Sequence, residues 1–274
     1  MNQQLQEDTS RSPIRRAPGA RIHPASSEPD HVVADSQKKR QEAEPAFVLH
    51  SYPYRETSLI VEMFTRHHGR IGLVAKGARR PKSALRGTLL AFQPLLVRWG
   101  GKGELRGLYG AEWQGGIPQL RGIGLMSGFY LNELLLKFLQ RDDAHEGLFD
   151  LYAEAVTALS VNSRISSTLR RFEKFLLGEL GYALTLDREG GTDKVVEPSA
   201  RYTYVIEKGP VRLDAGIGAE IELSGKTLLD LACDNYEDPV TLAQSKLLMR
   251  RLVAHYLGSK TLHTRQLLVD MQQI

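Results

Sequence analysis

The sequence predicts an α+β protein in which a small closed β-barrel precedes a mainly helical domain carrying an irregular insertion. Three observations lead there. From residue 45 to 118 the apolar residues fall into five short runs parted by turn residues, and beyond residue 124 they recur every three or four positions. Around residues 182–222 neither period holds.

Taken in order, residues 1–44 mix charges with Pro, Ser and Ala and hold almost no aromatic side chains, so they are expected to form a disordered extension that cannot bury enough apolar surface to fold alone. RSPIRRAPGAR within it offers weak anion affinity at most, and a solvated tail without function is the favoured reading. The strands expected next are FVLHSY, TSLIVEMFT, RIGLVAK, TLLAFQPLLVRW and ELRGLYGAEW, with HHGR and GGKGE as glycine-assisted turns. Five short strands in 45–118 suit a five-stranded barrel of the oligonucleotide-binding (OB) type better than a sandwich, which needs about seven.

Residues 119–274 read as the helical domain. LMSGFYLNELLLKFLQ and GLFDLYAEAVTAL show helical spacing, and Ile165, Leu169, Phe172, Leu176 and Leu180 make one apolar stripe, with Ser163 or Ser166 as expected cap and Gly181 as expected stop. After the insertion at about 182–222, with strand-like pieces such as YTYVIEKG, two more helices are expected in VTLAQSKLLMRRLVAHYLG and HTRQLLVDMQ.

Composition narrows the chemistry. A single cysteine, Cys233, excludes both an internal disulfide framework and a cysteine-rich zinc site, and it is expected to be a small buried hydrophobe. No apolar run is long enough to span a bilayer and no secretory signal is visible, so a cytoplasmic protein without membrane contact is expected. The net charge of +4 is unevenly distributed. Residues 45–116 carry eleven Lys/Arg against four Asp/Glu, whereas 1–44 carry seven of each and 117–274 carry eighteen against twenty-one. A positive field concentrated in one segment attracts polyanions.

Its centre is LVAKGARRPKSALRG, where Lys76, Arg79, Arg80, Lys82 and Arg86 occur without a carboxylate. GLVAKGA imitates the opening of a phosphate-binding P-loop but lacks the Lys and Ser/Thr that must follow its second glycine. DREGGTD and DAGIGAE lack a strand-turn-helix context, His67 and His68 fall in an expected turn, and no HExxH, acid cluster or Ser/His/Asp grouping emerges. A charge run is commonly a solubilising surface. Here the missing acids, the glycines and Tyr52, Tyr54, Phe92 and Trp99 in the same segment favour a groove that tracks phosphates and stacks bases, with Arg70, Arg98 and Lys102 as weaker phosphate contacts.

The chain resembles the RecO family of bacterial DNA repair proteins through FVLHSYPYRETSLIVEMFT, HGRIGLVAKGARRPKSALRG, FQPLLVRWGGKGEL, YLNELL, LFDLY, LRRFEKFLLGELGY and YLGSKTLHTRQLL, all in the same order. The resemblance implies an OB barrel, a helical domain and, in some members, a cysteine zinc motif near 182–222; this chain has no cysteine there, so no metal and no cofactor are expected. It implies a non-enzymatic recombination mediator that binds single- and double-stranded DNA. Such a mediator anneals complementary strands and, with RecR, helps load RecA onto strands coated by the single-stranded-DNA-binding protein, SSB. It also implies a pocket for the acidic, apolar C-terminal tail of SSB, formed by Leu148, Phe149, Tyr152 and Arg170. Helix spacing alone instead pairs Arg170 with Glu173 three residues on. The alternative reading of the whole is a protein-interaction adaptor recruited by SSB, with DNA contact incidental.

Overall fold

The computed structural model describes residues 43–214 and 219–264. The expectations for the N-terminal extension up to residue 42, and for the last helix from residue 265 on, lie outside the described residues.

Strands β1 (Glu44–Tyr54), β2 (Ser58–Thr65), β3 (Gly69–Ala75), β4 (Leu95–Gly100) and β5 (Leu105–Trp113) close into a barrel in the order β1-β2-β3-β5-β4. Only the β3–β5 contact is parallel. Following the ladder from Ala46 through Thr65 to Gly69 and returning by Val74, Gly107, Gly100 and Leu95 adds two offsets of five residues, a stagger of ten. So large a stagger in five strands imposes a steep tilt and leaves just enough interior for side chains. Ala46, Val48, Val61, Met63, Ile71, Leu73, Val97 and Trp99 fill it.

On β1 and β2 the alternate residues are apolar too. Phe47, Leu49 and Phe64 point away from the barrel interior into a second core shared with helices, so these strands are buried on both faces.

The expected fourth strand is shorter than TLLAFQPLLVRW. Leu85–Thr88 forms a single helical turn (α1), Ala91 makes only an isolated bridge to Val48, and strand β4 starts at Leu95. Pro94 has no N–H to give to a ladder, and Phe92, at φ 65°, turns its ring out of the barrel onto Gly128 and Phe129.

Three helices follow: α2 (Gly122–Phe138), α3 (Glu146–Ser160) and α4 (Ile165–Glu179). The α4 stripe forms as expected, with Phe172 and Leu176 fully buried and Ile165, Leu169 and Leu180 packed at the core's edge. Its start differs. Arg164 occupies the cap in the left-handed region at φ 50°, without a side-chain capping bond, so neither Ser163 nor Ser166 serves. Gly181, at φ 84°, ends the helix, and the Tyr182 N–H returns to the Leu177 carbonyl at 2.8 Å.

The insertion is more ordered than its composition suggests. Strands β6 (Arg201–Val205), β7 (Gly209–Arg212) and β8 (Leu223–Ser224) make a sheet in the order β7-β6-β8, covered by a short helix α5 (Gly225–Ala232) and by α6 (Pro239–Leu257). The Tyr202 hydroxyl accepts the Glu197 N–H at 2.9 Å and donates to Glu189 at 3.3 Å, cross-linking the loops before β6. Burial pushes the neighbouring Tyr204 hydroxyl up to about 12. Helix α5 was not expected, and Cys233, expected to be buried, is exposed: it is the C-cap of α5, one position past the turn whose Leu228 and Leu231 face the core.

Polar contacts join the barrel to the helices. A bulge between Val48 and His50 leaves the Leu49 carbonyl free of the β1–β2 ladder; Asn132 of α2 donates to it at 2.9 Å and accepts from the Tyr152 hydroxyl of α3 at 2.5 Å. At the β2–β3 turn, Arg66 binds Asp150 at 2.9 Å. Gly69 there, at φ 63°, lies so close to the Asp143 carbonyl that a Cβ would stand 1.7 Å from its oxygen. Glu133 of α2 accepts N–H groups from His263 and Thr264 at 2.8 and 2.9 Å and so holds the segment after α6.

Two outcomes follow from these joints. Asn132→Ala strands a buried carbonyl and a buried hydroxyl and should cost about 2 kcal/mol or more in urea unfolding; wild-type stability would show that the joint lies elsewhere. Burial pushes the Glu133 carboxyl up, but hydrogen bonds from Thr264, His263 and Lys137 outweigh it and hold the group below its ordinary 4.5. Its contribution is therefore present above that value and lost as pH falls through the lower folded value. The protection factors of the His263 and Thr264 amides should fall in acid, and Glu133→Gln should abolish that dependence.

Candidate nucleic-acid interface

The basic loop leaves β3 at the barrel end that also carries the β1–β2 hairpin tip. Its first turn is anchored by backbone: the Arg79 N–H reaches the Thr57 carbonyl at 2.9 Å, and the Arg80 N–H the Gly77 carbonyl at 3.0 Å. Gly77 sits at φ 68°, a conformation that glycine adopts without strain. Arg79 Nη1 donates to the carbonyls of Arg55 and Glu56 at 3.4 and 3.3 Å, fastening loop to hairpin. Lys76, Arg79, Arg80, Lys82 and Arg86 are all exposed, and among the described residues none forms a salt bridge. Five uncompensated cations fixed to one barrel end make a strong anion-attracting surface.

The hairpin adds a residue that sequence reasoning passed over. Arg55, at φ 51°, stands 5.1 Å from the Tyr54 ring and next to Arg79. Its only sequence signal was its place in the turn between the first two strands.

The weaker candidates divide. Lys102 is exposed on the β4–β5 turn. Arg98 is half-exposed and bound to Glu112 at 2.6 Å. Arg70 is at the opposite end of β3 from the loop: it lies 3.6 Å from the buried Glu62, which also binds Arg141, and its carbonyl accepts the Asp142 N–H at 3.0 Å. Burial pulls its guanidinium below the ordinary value against the pull of Glu62. Arg70 is thus part of the joint between barrel and helices.

The expected aromatics divide as well. Trp99 fills the barrel, Phe92 packs on α2, and Tyr52 is half-exposed with its ring 4.4 Å from His50. The most exposed rings of the barrel are Tyr109 and Trp113, both on β5.

A second surface involves α3 and α4. Leu148, Phe149 and Tyr152 are buried at the barrel–helix core, with Phe149 5.4 Å from the rings of both Phe47 and Phe64. Arg170 is buried too, its Nη2 2.6 Å from Glu173, which also accepts from the Tyr130 hydroxyl at 2.6 Å. Burial raises the Glu173 carboxyl against the pull of Arg170, and raises the Tyr130 hydroxyl far above its ordinary value. Arg170 therefore forms the ion pair with Glu173 that helix spacing allowed. The adjacent Arg171 is half-exposed and paired with Glu154 at 3.1 Å. It borders a groove of about 860 Å³ that is floored by Leu151, Ala155, Ile165 and Leu242 and flanked by Arg164.

Residues 40–116 match the family model described as "Recombination protein O N terminal", and residues 121–265 match "Recombination protein O C terminal". The chain belongs to the RecO family. The first match spans the barrel and the second the helical domain. Among similar RecO proteins are the "DNA repair protein RecO" of Nitrosospira multiformis, 58% identical over 86% of this chain and 98% of its own length, and that of Aromatoleum aromaticum, 53% identical over 87% and 100%. A third, from Dechloromonas aromatica, is 52% identical over 86% of this chain and 99% of its own length. The RecO family is one of DNA repair and recombination proteins.

Arg170→Ala should leave Glu173 as a buried carboxylate without its cation, and removing one partner of such a pair costs about 3–5 kcal/mol. Chemical denaturation reads the loss; stability equal to wild type would return Arg170 to a role at the surface.

Proposed function

We propose that this chain is a non-enzymatic DNA-repair mediator that binds single and double strands and anneals complementary single strands. The observation that carries the reading is the cluster Lys76, Arg79, Arg80, Lys82 and Arg86, exposed without carboxylate partners among the described residues and tied by Arg79 to the hairpin of a five-stranded barrel. Annealing needs two anionic strands brought together with their repulsion screened, which such a surface supplies without bond chemistry. The relatives' name, DNA repair protein RecO, agrees with a repair role. In this reading residues 1–44 are an extension, 45–118 the DNA-binding domain and 119–274 the partner-binding domain. Lys102 and Arg98 extend the phosphate track; Arg70, held at the joint, contributes through the field and not by contact. RecR and SSB are the partners, and RecA is the protein loaded.

The groove beside Arg171 favours a second task for the same molecule, recruitment through the acidic, apolar SSB tail. A peptide ending in a carboxylate matches an apolar floor flanked by Arg171 and Arg164, whose partners Glu154 and Glu237 are exposed and exchangeable. In this reading the docking point is this groove, with the buried Leu148, Phe149, Tyr152 and Arg170 as its support.

Changing Lys82 and Arg86 together to Ala should weaken binding to any DNA sequence and flatten the log–log salt dependence by roughly one unit per lost contact. The same variant should anneal slowly yet still bind an SSB-tail peptide, while Arg171→Ala should do the reverse. An unchanged salt slope removes the loop from the DNA site. Tail binding without any acceleration of annealing by wild type leaves the adaptor reading.

A further inference from the structure

β3, β5 and β4 each contribute a glycine to one strip, whose Gly72 end is covered by Leu105 and by Arg141 of the segment between α2 and α3. Gly72 of β3, Gly107 of β5 and Gly100 of β4 lie on adjacent strands, with Val74 opposite Gly107 and Gly107 opposite Gly100. Across the last pair lies Tyr109. A Cβ on Gly100 would stand 2.7 Å from its Cε2 and 2.8 Å from its Oη, and one on Gly107 would stand 3.6 Å from its Cε1. The ring is thus seated against bare backbone, yet the residue is 68% exposed.

This placement has a local cause. The β4–β5 register passes from Arg98–Gly110 to Trp99–Leu108, so Tyr109 is the extra residue of a bulge, a device that re-aims a side chain. Leu105, 41% exposed, continues the apolar strip beside Gly72. Cations border it. Lys76 is the first residue beyond β3, whose Val74 pairs with Gly107 of the parallel β5, so the basic loop leaves the strand that neighbours the one carrying Tyr109. Arg98 extends over Gly110, and Lys102 occupies the turn joining β4 to β5.

We propose that Tyr109 is the base-stacking platform for an unpaired nucleobase of a single DNA strand whose phosphates run between Lys76 and Lys102. The inference rests on the DNA-binding reading above and deepens it. A ring held from beneath, open above and bordered by cations offers one face to a base and charges to the phosphates on either side. In a duplex the base faces are already stacked, so Tyr109 separates single strands from double, whereas the loop cations attract both.

The test uses the full chain with a single-stranded oligonucleotide containing 2-aminopurine and with a duplex of the same length, each across a salt series. Wild type should quench the 2-aminopurine fluorescence on binding. Tyr109→Phe should bind and quench alike. Tyr109→Leu, which still covers Gly100, should bind the single strand about tenfold more weakly with an unchanged salt slope, and should bind the duplex as wild type does. Binding by wild type without any fluorescence change, equal single-strand affinity of the Leu variant, or a Phe variant as weak as Leu would each overturn the stacking role. Absence of any salt-dependent DNA binding by wild type would overturn the DNA-binding reading itself.

Discussion

One released carbonyl organises the molecule. The bulge in β1 takes the Leu49 oxygen out of the barrel's ladder, and burial then demands another partner for it. Asn132 of α2 meets that demand and is itself held by the Tyr152 hydroxyl of α3, whose ring continues into a cluster with Phe47, Phe64 and Phe172. Barrel and helices are therefore joined by a hydrogen-bonded chain inside an apolar core, a combination that fixes position as well as proximity.

That joint decides where the charges are free. The face of β1 and β2 turned to the helices is apolar, and the cations nearest the joint, Arg66, Arg70, Arg106 and Arg141, are engaged by Asp150, Glu62 and Asp142. Among the described residues the loop at the far end of β3 has no such partners. The positive segment of the sequence thus separates into arginines that hold the two halves together and lysines and arginines left for an external anion.

The sequence made the barrel legible because turn residues and strand-length apolar runs repeat through 45–118, and the helices because Phe172 and Leu176 keep a strict spacing. It did not show the late start of the fourth expected strand, which depends on a left-handed Phe92 whose ring is required by a core formed later in the chain by Gly128 and Phe129. Helix α5 escaped because eight residues give barely two turns of periodicity. The basic loop was readable from composition alone. Arg170 and Arg171 were not separable that way, since neighbours on a helix differ only in direction, and direction is set by what packs beside them. Tyr109 had no signal beyond its ring; its orientation comes from a bulge and two glycines on separate strands.

Gly69 gives the joint a further meaning. Its α-carbon meets the Asp143 carbonyl without a side chain between them, while Arg66 clasps α3 from the same turn. Two bodies in backbone contact at one point and hydrogen-bonded at another have no hinge between them. The basic barrel end and the groove beside Arg171 are thus two marks on one ruler: anything that touches both must match its length, and a flexible tether in a partner would gain or lose effective concentration according to how well it spans that fixed distance.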